Sequence, residues 1–200
     1  VVGQLEAAFA SQRGHAPREE DHGPVAACVH HAGIHTVPAR EVVVLPNSPN
    51  VRMAAQAAAE MSGREVRVVE STEPQAGLSA VLAFLPDAGA PENAAAMACA
   101  LEAVRTGSVA PAARDDVEGR FSVGEAVGYV GDELVAWGEP RETLAEVVVR
   151  LADGAELLTV LSASDAPLGD GEVEDLAPDG IELEMRHGGQ PSRWWLLSAE

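Results

Sequence analysis

The sequence contains no lysine, because all 13 of its basic residues are arginine. This absence excludes Walker-A phosphate loops, Schiff-base chemistry and lysine general bases. Aromatic residues are scarce, at 4%, and no apolar run approaches the roughly 18 residues that a membrane-spanning helix needs. The start of the chain shows no signal-peptide pattern. We therefore expect neither a P-loop enzyme nor a protein inserted in a membrane.

Cysteine is nearly absent as well: Cys28 and Cys99 stand 71 positions apart. A single distant pair is weak support for a disulfide, so we expect two thiols in a reducing cytoplasm. The chain opens at Val1-Val2 without a methionine, which indicates a piece of a longer polypeptide. Apolar residues make up 46% of the 200 positions, enough for one medium domain or two small ones with a sizeable core.

Acidic residues outnumber basic ones 32 to 13, and the net charge of −19 excludes a nucleic-acid backbone as the natural partner. Residues 1–100 carry a net charge of −5 and residues 101–200 carry −14. Between Arg150 and Arg186 there are ten acidic residues and no basic one. This stretch is either a solvated face that aids solubility or a docking surface for a basic partner. The docking alternative assigns the partner contacts to Asp170, Glu172, Glu174, Asp175, Glu182 and Glu184.

The first part of the chain alternates between strand and helix patterns. Val42–Leu45 is a charge-free, largely β-branched run, typical of a strand buried on both faces of a parallel sheet. After it, Ser48 as N-cap and Pro49 as first helical residue predict a helix that runs through Met61. Residues 1–87 are therefore predicted to form an α/β lobe. Its other expected elements are helices over Gly3–Ser11, Val25–Ala32 (stopping at Gly33) and Gln75–Leu85, and a strand over Val66–Val69.

A second lobe is predicted over residues 88–200, after the boundary segment Pro86–Pro91. A helix opens at Pro91 and is expected to end at Gly107. The order of the remaining elements predicts an α+β lobe with a mixed sheet, so the fold class of the whole chain is α/β. These elements are an extended segment over Val109–Arg114, a hairpin of Ala126–Val130 and Leu134–Trp137, a helix over Thr143–Leu151, and strands over Leu157–Leu161, Ile181–Met185 and Trp194–Ser198.

The sequence offers one candidate metal site and no pattern for catalysis. Cys28, His31 and His35 have helical spacing that suits zinc, but a helix that stops at Gly33 breaks their register. An amphipathic helix with incidental histidines is the alternative, and we expect no bound metal. There is no G-x-S-x-G elbow and no G-x-G-x-x-G after a strand, and a Ser–His–acid triad cannot be assembled from spacing. No catalytic residue is therefore assigned.

The most distinctive short motif runs from His187 to Pro191, HGGQP. Adjacent glycines permit positive φ or a close backbone approach, and the proline fixes the entry to the last strand. Gly-Gly-Gln also occurs in peptide-release factors, where it must sit on ribosomal RNA, and a lysine-free protein of charge −19 suits that role poorly. We interpret Gly188, Gly189, Gln190 and Pro191 as a structural turn between two strands.

Several blocks together resemble one known family. They are Val42–Ala55 (VVVLPNSPNVRMAA), Gly77-Leu78 with Phe84, Ala96–Asp115 (AMACALEAVRTGSVAPAARD) and the final segment from HGGQP to SAE. Their order resembles the C-terminal domain of the bacterial fatty acid kinase A subunit, whose N-terminal domain is of the dihydroxyacetone-kinase type. The resemblance covers about residues 3–200. It implies a fold like that of the DegV-like fatty-acid-binding subunit.

The resemblance also implies a function. In that family the N-terminal domain binds Mg-ATP, a middle domain supplies catalytic Cys and His residues, and the C-terminal domain helps to dock the DegV-like subunit. The complete enzyme phosphorylates a bound fatty acid to an acyl-phosphate for phospholipid synthesis. This chain is thus expected to be non-catalytic and cofactor-free, and its expected partners are its own kinase and middle domains and the DegV-like subunit. A module that itself binds a fatty acid or other lipid is the alternative, and a free-standing hydrolase or phosphotransferase is a second.

Two departures from the family pattern bear on these expectations. The region His15–Val25 lacks the Gly-Gly-Gln or Asn-Pro-Ser type loop that family members usually carry after the first helix. The helix before the last two strands is shortened to about Gly171–Leu176. Cys28 and its neighbouring histidines precede the VVVLPN strand, so they are not the catalytic set of the middle domain.

Overall fold

The computed structural model describes residues 24–190 and 192–200, which form two compact units divided between Glu102 and Ala103. The boundary expected at residues 87/88 precedes the helix α4, whereas this division falls at the last residue of that helix. The first unit contains α1 (Pro24–Thr36), β1 (Glu41–Val44), a 3₁₀ turn (Pro49–Val51), α2 (Arg52–Met61), β2 (Glu65–Val68), α3 (Pro74–Leu82) and α4 (Ala90–Ala103). The second contains β3 (Arg105–Pro111), β4 (Ala126–Val130), β5 (Glu133–Gly138), α5 (Pro140–Ala152), β6 (Leu157–Ser162), α6 (Asp170–Glu174), β7 (Glu182–His187) and β8 (Trp195–Ala199).

In the first unit, β1 and β2 pair in parallel. Successive side chains of a strand point to opposite faces, so the apolar run of β1 serves two cores. Val42 and Val44 pack in a cluster with Ile34, Val37 and Ala58, on the side of α1 and α2. Val43 and Leu45 pack in a cluster with Val69, Ala80 and Met97, on the side of α3 and α4. The prediction of a parallel strand covered on both faces is confirmed.

The helix α1 does not stop at Gly33, contrary to the sequence prediction, but continues to Thr36. A mid-helix glycine costs about 1 kcal/mol relative to alanine, and burying a side chain such as Ile34 returns about 1.5–3 kcal/mol. The end of the helix is also capped from elsewhere in the unit. The Arg64 guanidinium donates to the carbonyl oxygens of Ile34 at 2.7 Å and Val37 at 3.0 Å. Local sequence cannot show a cap supplied by the residue that precedes β2.

The second unit is built on a six-stranded sheet in the order β5-β4-β3-β8-β6-β7. The β6–β7 pair is parallel and the other pairs are antiparallel, which confirms the predicted mixed sheet. The helix α5 packs across this sheet through an apolar stripe that is completely buried, made of Leu144, Val147, Val148 and Leu151. Among the described residues, no helix is both long and apolar enough to cross a membrane.

The helix expected to end at Gly107 ends at Ala103, so that prediction is wrong, and Gly107 lies inside β3. A Cβ atom added to Gly107 would lie 2.7 Å from Leu151 Cδ1 and 2.9 Å from Val147 Cγ1. Gly128 on β4 stands in the same relation to α5, since its Cβ would lie 2.7 Å from Val147 Cγ2. These glycines allow the helix to approach the sheet closely.

Candidate functional site

Several strand ends and loops of the second unit lie together at one end of its sheet. The strand registers bring the end of β6 (Ser162), the end of β7 (His187) and the start of β8 (Trp195) together. In the same way the end of β3 (Pro111) lies beside the start of β4, next to the end of β5 (Gly138). We call this end of the sheet the loop end. It carries the segment 112–125, the entry to α5, the entry to α6 and the turn after His187.

Three polar side chains at the loop end lie in contact with one another. Ser162 Oγ lies 2.9 Å from His187 Nδ1, and His187 Nε2 lies 3.2 Å from Asp170 Oδ2. The parallel pairing of β6 with β7 sets Ser162 directly beside His187, and Asp170 is the first residue of α6. The structure therefore assembles a Ser–His–acid set that spacing did not reveal.

A histidine held between a serine and a carboxylate is the arrangement by which serine hydrolases activate a nucleophile, whatever their fold. In this chain Ser162 is only 4% exposed, and its Oγ also lies 3.4 Å from the carbonyl oxygen of Arg186. A nucleophile must reach a bound substrate, whereas this hydroxyl is largely enclosed. These contacts join the start of α6 to the ends of β6 and β7.

The glycine turn follows His187 and folds back over β6. The Gly188 N–H donates to the Ser162 carbonyl at 2.9 Å, and Gln190 Nε2 donates to the Leu161 carbonyl at 2.9 Å and to that of Arg193 at 3.3 Å. Gly189 has a φ of 61°, a conformation that favours glycine. These contacts support the interpretation of Gly188, Gly189 and Gln190 as a structural turn. Pro191 lies outside the described residues.

The six carboxylates predicted to contact a partner do not form one patch. Asp170 lies at the loop end, and Glu172 accepts a hydrogen bond from Gly169 N–H at the start of α6. Glu182 begins β7, opposite Leu157, at the other end of the sheet. Glu184 pairs with Arg186 at 3.1 Å. The exposed residues Glu174 and Asp175 lie at the end of α6.

The loop 112–125 is held in shape by its own carboxylates. Asp116 accepts from Arg120 Nε at 2.8 Å and Nη2 at 2.9 Å, and from the backbone N–H groups of Glu118 and Arg120. The hydrogen bonds from Arg120 hold the pKa of Asp116 well below its usual range. Asp115 accepts from the Val123 N–H at 2.8 Å. A loop fixed by this many charged hydrogen bonds is preorganised.

The first unit contains a buried polar cluster at the carboxyl ends of β1 and β2, where α/β proteins commonly bind ligands. The backbone N–H of Asn47 donates to Ser71 Oγ at 3.0 Å. Asn47 and Ser71 are both buried, as is Gln75 at the start of α3. Asn47 Oδ1 is buried without a hydrogen-bond partner among the described residues.

The histidines of α1 lie close together because the helix continues past Gly33. The rings of His31 and His35 have their centroids 4.5 Å apart, and burial lowers the pKa of His30. Within residues 24–190 and 192–200, no group of three or more potential ligands could hold a metal ion. The side chain of Cys28 lies outside the described residues, so the expectation that no zinc binds stays a prediction.

Sequence reasoning missed Ser162, His187 and the ordered loop 112–125. His187 was noticed only as the residue before the glycine pair. Ser162 follows directly on the predicted strand Leu157–Leu161. The predicted strands Leu157–Leu161 and Ile181–Met185 stop just short of these two residues, and local periodicity gives no signal for the parallel pairing that brings Ser162 beside His187.

The fold is that of a DegV-like protein. A DegV family protein from Eubacterium eligens, solved loaded with heptadecanoic acid, matches with a TM-score of 0.63 at 16% identity, covering 87% of this chain and 77% of that one. DegV family protein Cg2579 from Corynebacterium glutamicum matches with a TM-score of 0.60 at 14% identity, covering 87% and 80%. The predicted fold class is confirmed.

Residues 27–200 match the FakA-like C-terminal family, which comprises the C-terminal domains of fatty acid kinase A-like proteins, and the chain belongs to this family. It is 30% identical over 177 residues to protein YloV of Bacillus subtilis, a match that covers 84% of this chain and 32% of YloV. The chain spans about a third of the length of the curated relatives that it matches. The resemblance drawn from the sequence is confirmed.

Proposed function

We propose that this chain is the non-catalytic C-terminal domain of a two-component fatty acid kinase and that it docks a DegV-like fatty-acid-binding subunit. The docked subunit would present its fatty acid to a kinase domain in the same polypeptide, which uses Mg-ATP to form acyl-phosphate for phospholipid synthesis. Membership of the fatty acid kinase A-like family and the DegV-like fold support this role. So does the length of the relatives, which leaves room for kinase and middle domains.

The observation that carries the docking role is the unpaired negative charge spread over α6 and the start of β7, which acts on a partner through its field and not as one contact patch. Glu174, Asp175 and Glu182 are exposed, and none of them makes an ion pair with another described residue. Unpaired surface carboxylates act over about a Debye length, roughly 8 Å at physiological salt. They attract a basic partner during encounter and contribute less to the lifetime of the complex.

Binding kinetics test this role. The full chain is immobilised, and the DegV-like subunit encoded in the same genome is passed over it at low and at high salt. The association rate should fall as salt rises. Substituting Arg for Glu174, Asp175 and Glu182 together should lower the association rate about tenfold and change the dissociation rate little. Asp170 is left intact because its carboxylate contacts His187.

The matched control reverses three exposed carboxylates of the first unit, Glu60, Asp87 and Glu102, to Arg. It changes the net charge equally but leaves α6 and β7 untouched. If both triple variants slow association alike, net charge and not the α6–β7 surface directs encounter. If the wild-type chain binds no DegV-like subunit under any salt condition, the docking role is wrong.

A second candidate function is that the chain itself holds a fatty acid or another lipid. The polar cluster of Asn47, Ser71 and Gln75 favours it, because a carboxyl group could hydrogen-bond at the strand ends of the first unit. Native mass spectrometry of the purified chain, before and after delipidation, tests this function. A stoichiometric mass loss on delipidation that Asn47→Ala abolishes would support lipid binding, and an unchanged mass would exclude a retained lipid.

A further inference from the structure

The strand β7 forms an open edge of the six-stranded sheet. It pairs with β6 over all six of its residues without interruption. The opposite edge strand, β5, has a register irregularity beside Gly128 and Tyr129 of β4, and such bulges turn an edge away from new partners. Of the two edges, β7 is the one whose regular backbone can accept a further strand.

The outward backbone groups of β7 belong to alternate residues. The Glu182 N–H donates to the Glu156 carbonyl at 3.1 Å, on the side of β6. Backbone groups along a strand point alternately to its two sides. The residues that turn both groups outward are therefore Leu183, Met185 and His187.

The polar side chains of β7 carry charges of both signs. Glu184 and Arg186 lie on the same face of the sheet, because alternate residues of a strand share a face, and they form an ion pair at 3.1 Å. Arg186 Nη1 also donates to the outward Met185 carbonyl at 3.1 Å. An exposed ion pair contributes little to stability, and a carbonyl oxygen accepts two hydrogen bonds. Neither contact prevents a second strand from pairing with β7.

We propose that two copies of this chain pair through β7 in antiparallel direction, with Met185 opposite Met185 of the second copy. In this register the outward groups of Leu183 meet those of His187, and the two Met185 residues exchange both of their hydrogen bonds. Glu184 lies opposite Arg186 of the second copy, and the reverse pair lies on the other side of the centre. These are the positions at which opposite side chains come closest, so two ion pairs flank the central methionines.

Charge selects this register over its neighbours. Outward residues must meet outward residues, so the register of the two strands changes only in alternate steps. One step in one direction places Glu184 opposite Glu184, and one step in the other direction places Arg186 opposite Arg186. Like charges directly opposite each other are destabilising. The second copy is therefore a partner whose charges complement this edge in one alignment.

The pair closes on itself and is weak. The same surface is used on both copies, so association through β7 stops at two. A single strand pair buries little area, and interfaces below about 1,200 Å² belong to transient complexes. The charge of −19 on each copy and the exposed carboxylates of Glu174 and Asp175 oppose the approach. We expect a dissociation constant on the order of 100 μM.

Sedimentation equilibrium of the full chain tests this inference, at physiological salt, where a Debye length of about 8 Å limits the repulsion. The wild-type chain should associate to a dimer and no further. Glu184→Arg alone and Arg186→Glu alone each place like charges opposite each other, and each should raise the dissociation constant about tenfold. Mixed in equal amounts, the two variants should form a heterodimer as stable as the wild-type dimer, because every arginine then faces a glutamate.

The matched control is Arg150→Glu. Arg150 forms an exposed ion pair with Glu146 on α5, so this substitution changes the net charge exactly as Arg186→Glu does and leaves β7 intact. It should change the dissociation constant by no more than about twofold, since exposed ion pairs contribute little. For the same reason the unfolding midpoints of all these variants in urea should stay close to that of the wild type.

The outcomes separate this inference from the docking role. A wild-type chain that stays monomeric at every concentration overturns the inference and leaves the docking role untouched. A dimer that both single variants leave unchanged uses another surface, and a mixture that restores no dimer refutes the register. If Arg150→Glu weakens the dimer as much as Arg186→Glu does, net charge governs association and the β7 pairing is wrong.

Discussion

Gly189 has no heavy atom within 4 Å of the position that a Cβ would take, so a side chain there meets no steric obstacle. Its φ of 61° is the only constraint. We predict that Gly189→Val lowers the free energy of unfolding by about 1–3 kcal/mol, because a β-branched residue is strained in the left-handed region. Urea denaturation measures the loss. Gly189→Asn is the control, since asparagine tolerates this conformation. An equal loss of unfolding free energy for both variants would show that backbone strain at position 189 is not its cause.

Asp116 gives the second residue-scale prediction, a pH dependence. Its pKa is lowered in the folded protein by Arg120, so its contribution to stability is complete above the unfolded value of about 3.9. It is lost as pH falls from there towards the folded pKa. The difference in unfolding free energy between wild type and Asp116→Asn should be constant at neutral pH and shrink below about pH 4.

Urea titrations at a series of pH values measure this difference. Glu118→Gln is the matched control. The exposed Glu118 carboxylate lies 3.5 Å from Arg120 Nε, farther than the Asp116 carboxylate does. A wild-type advantage over Asp116→Asn that stays constant through acid pH would contradict the assignment.

At the scale of elements, α6 has only five residues, and Asp170 ties it to the end of β7. Short helices are marginal without tertiary contacts. We predict that His187→Ala accelerates amide hydrogen exchange in residues 170–174 several-fold, because both the Asp170 and the Ser162 contacts disappear. Exchange measured by mass spectrometry on the full chain checks this. His35→Ala, an exposed histidine of the first unit, should leave α6 unchanged, and equal protection in His187→Ala would show that these contacts do not hold the helix.

The elements differ in how far the sequence predicts them. The hairpin β4–β5 was predicted nearly to its ends, because alternating apolar residues flank a Gly-Asp turn and both signals are local. Gly33 and Gly107 were misread as helix stops. Arg64 and Val147, which explain these glycines, come from distant parts of the chain. The sequence alone does not show whether a glycine ends a helix or allows a neighbouring element to pack closely against the backbone.

Predicting the candidate site requires the pairings between strands that are distant in the chain, more than predicting the single elements does. The β8 strand lies between β3 and β6, although it is last in the chain. Only this order, with the parallel β6–β7 pair, gathers the loop 112–125, Ser162 and His187 at one end of the sheet. Local periodicity predicts strands and does not rank their pairings, so the individual residues were visible in the sequence and their meeting was not.

At the scale of the whole molecule, the second unit has a core of its own. Its largest apolar cluster, which includes Leu144, Leu151, Leu158 and Trp195, lies entirely within residues 109–199. We predict that residues 104–200 fold alone and unfold cooperatively in urea. Leu151→Ala should lower the unfolding free energy of this fragment by about 2–5 kcal/mol, as expected for a truncation in a packed core. A gradual, non-cooperative transition would mean that the second unit needs the first.

The edge strand β7 bears on how copies of this molecule behave towards one another. An open strand edge is a template on which further chains polymerise. Glu182, Glu184 and Arg186 follow one another at alternate positions along this edge, and the molecule as a whole carries a charge of −19. A second copy that approached strand to strand with like residues opposite would bring like carboxylates face to face. In a parallel approach this repulsion disfavours fibre growth along the edge.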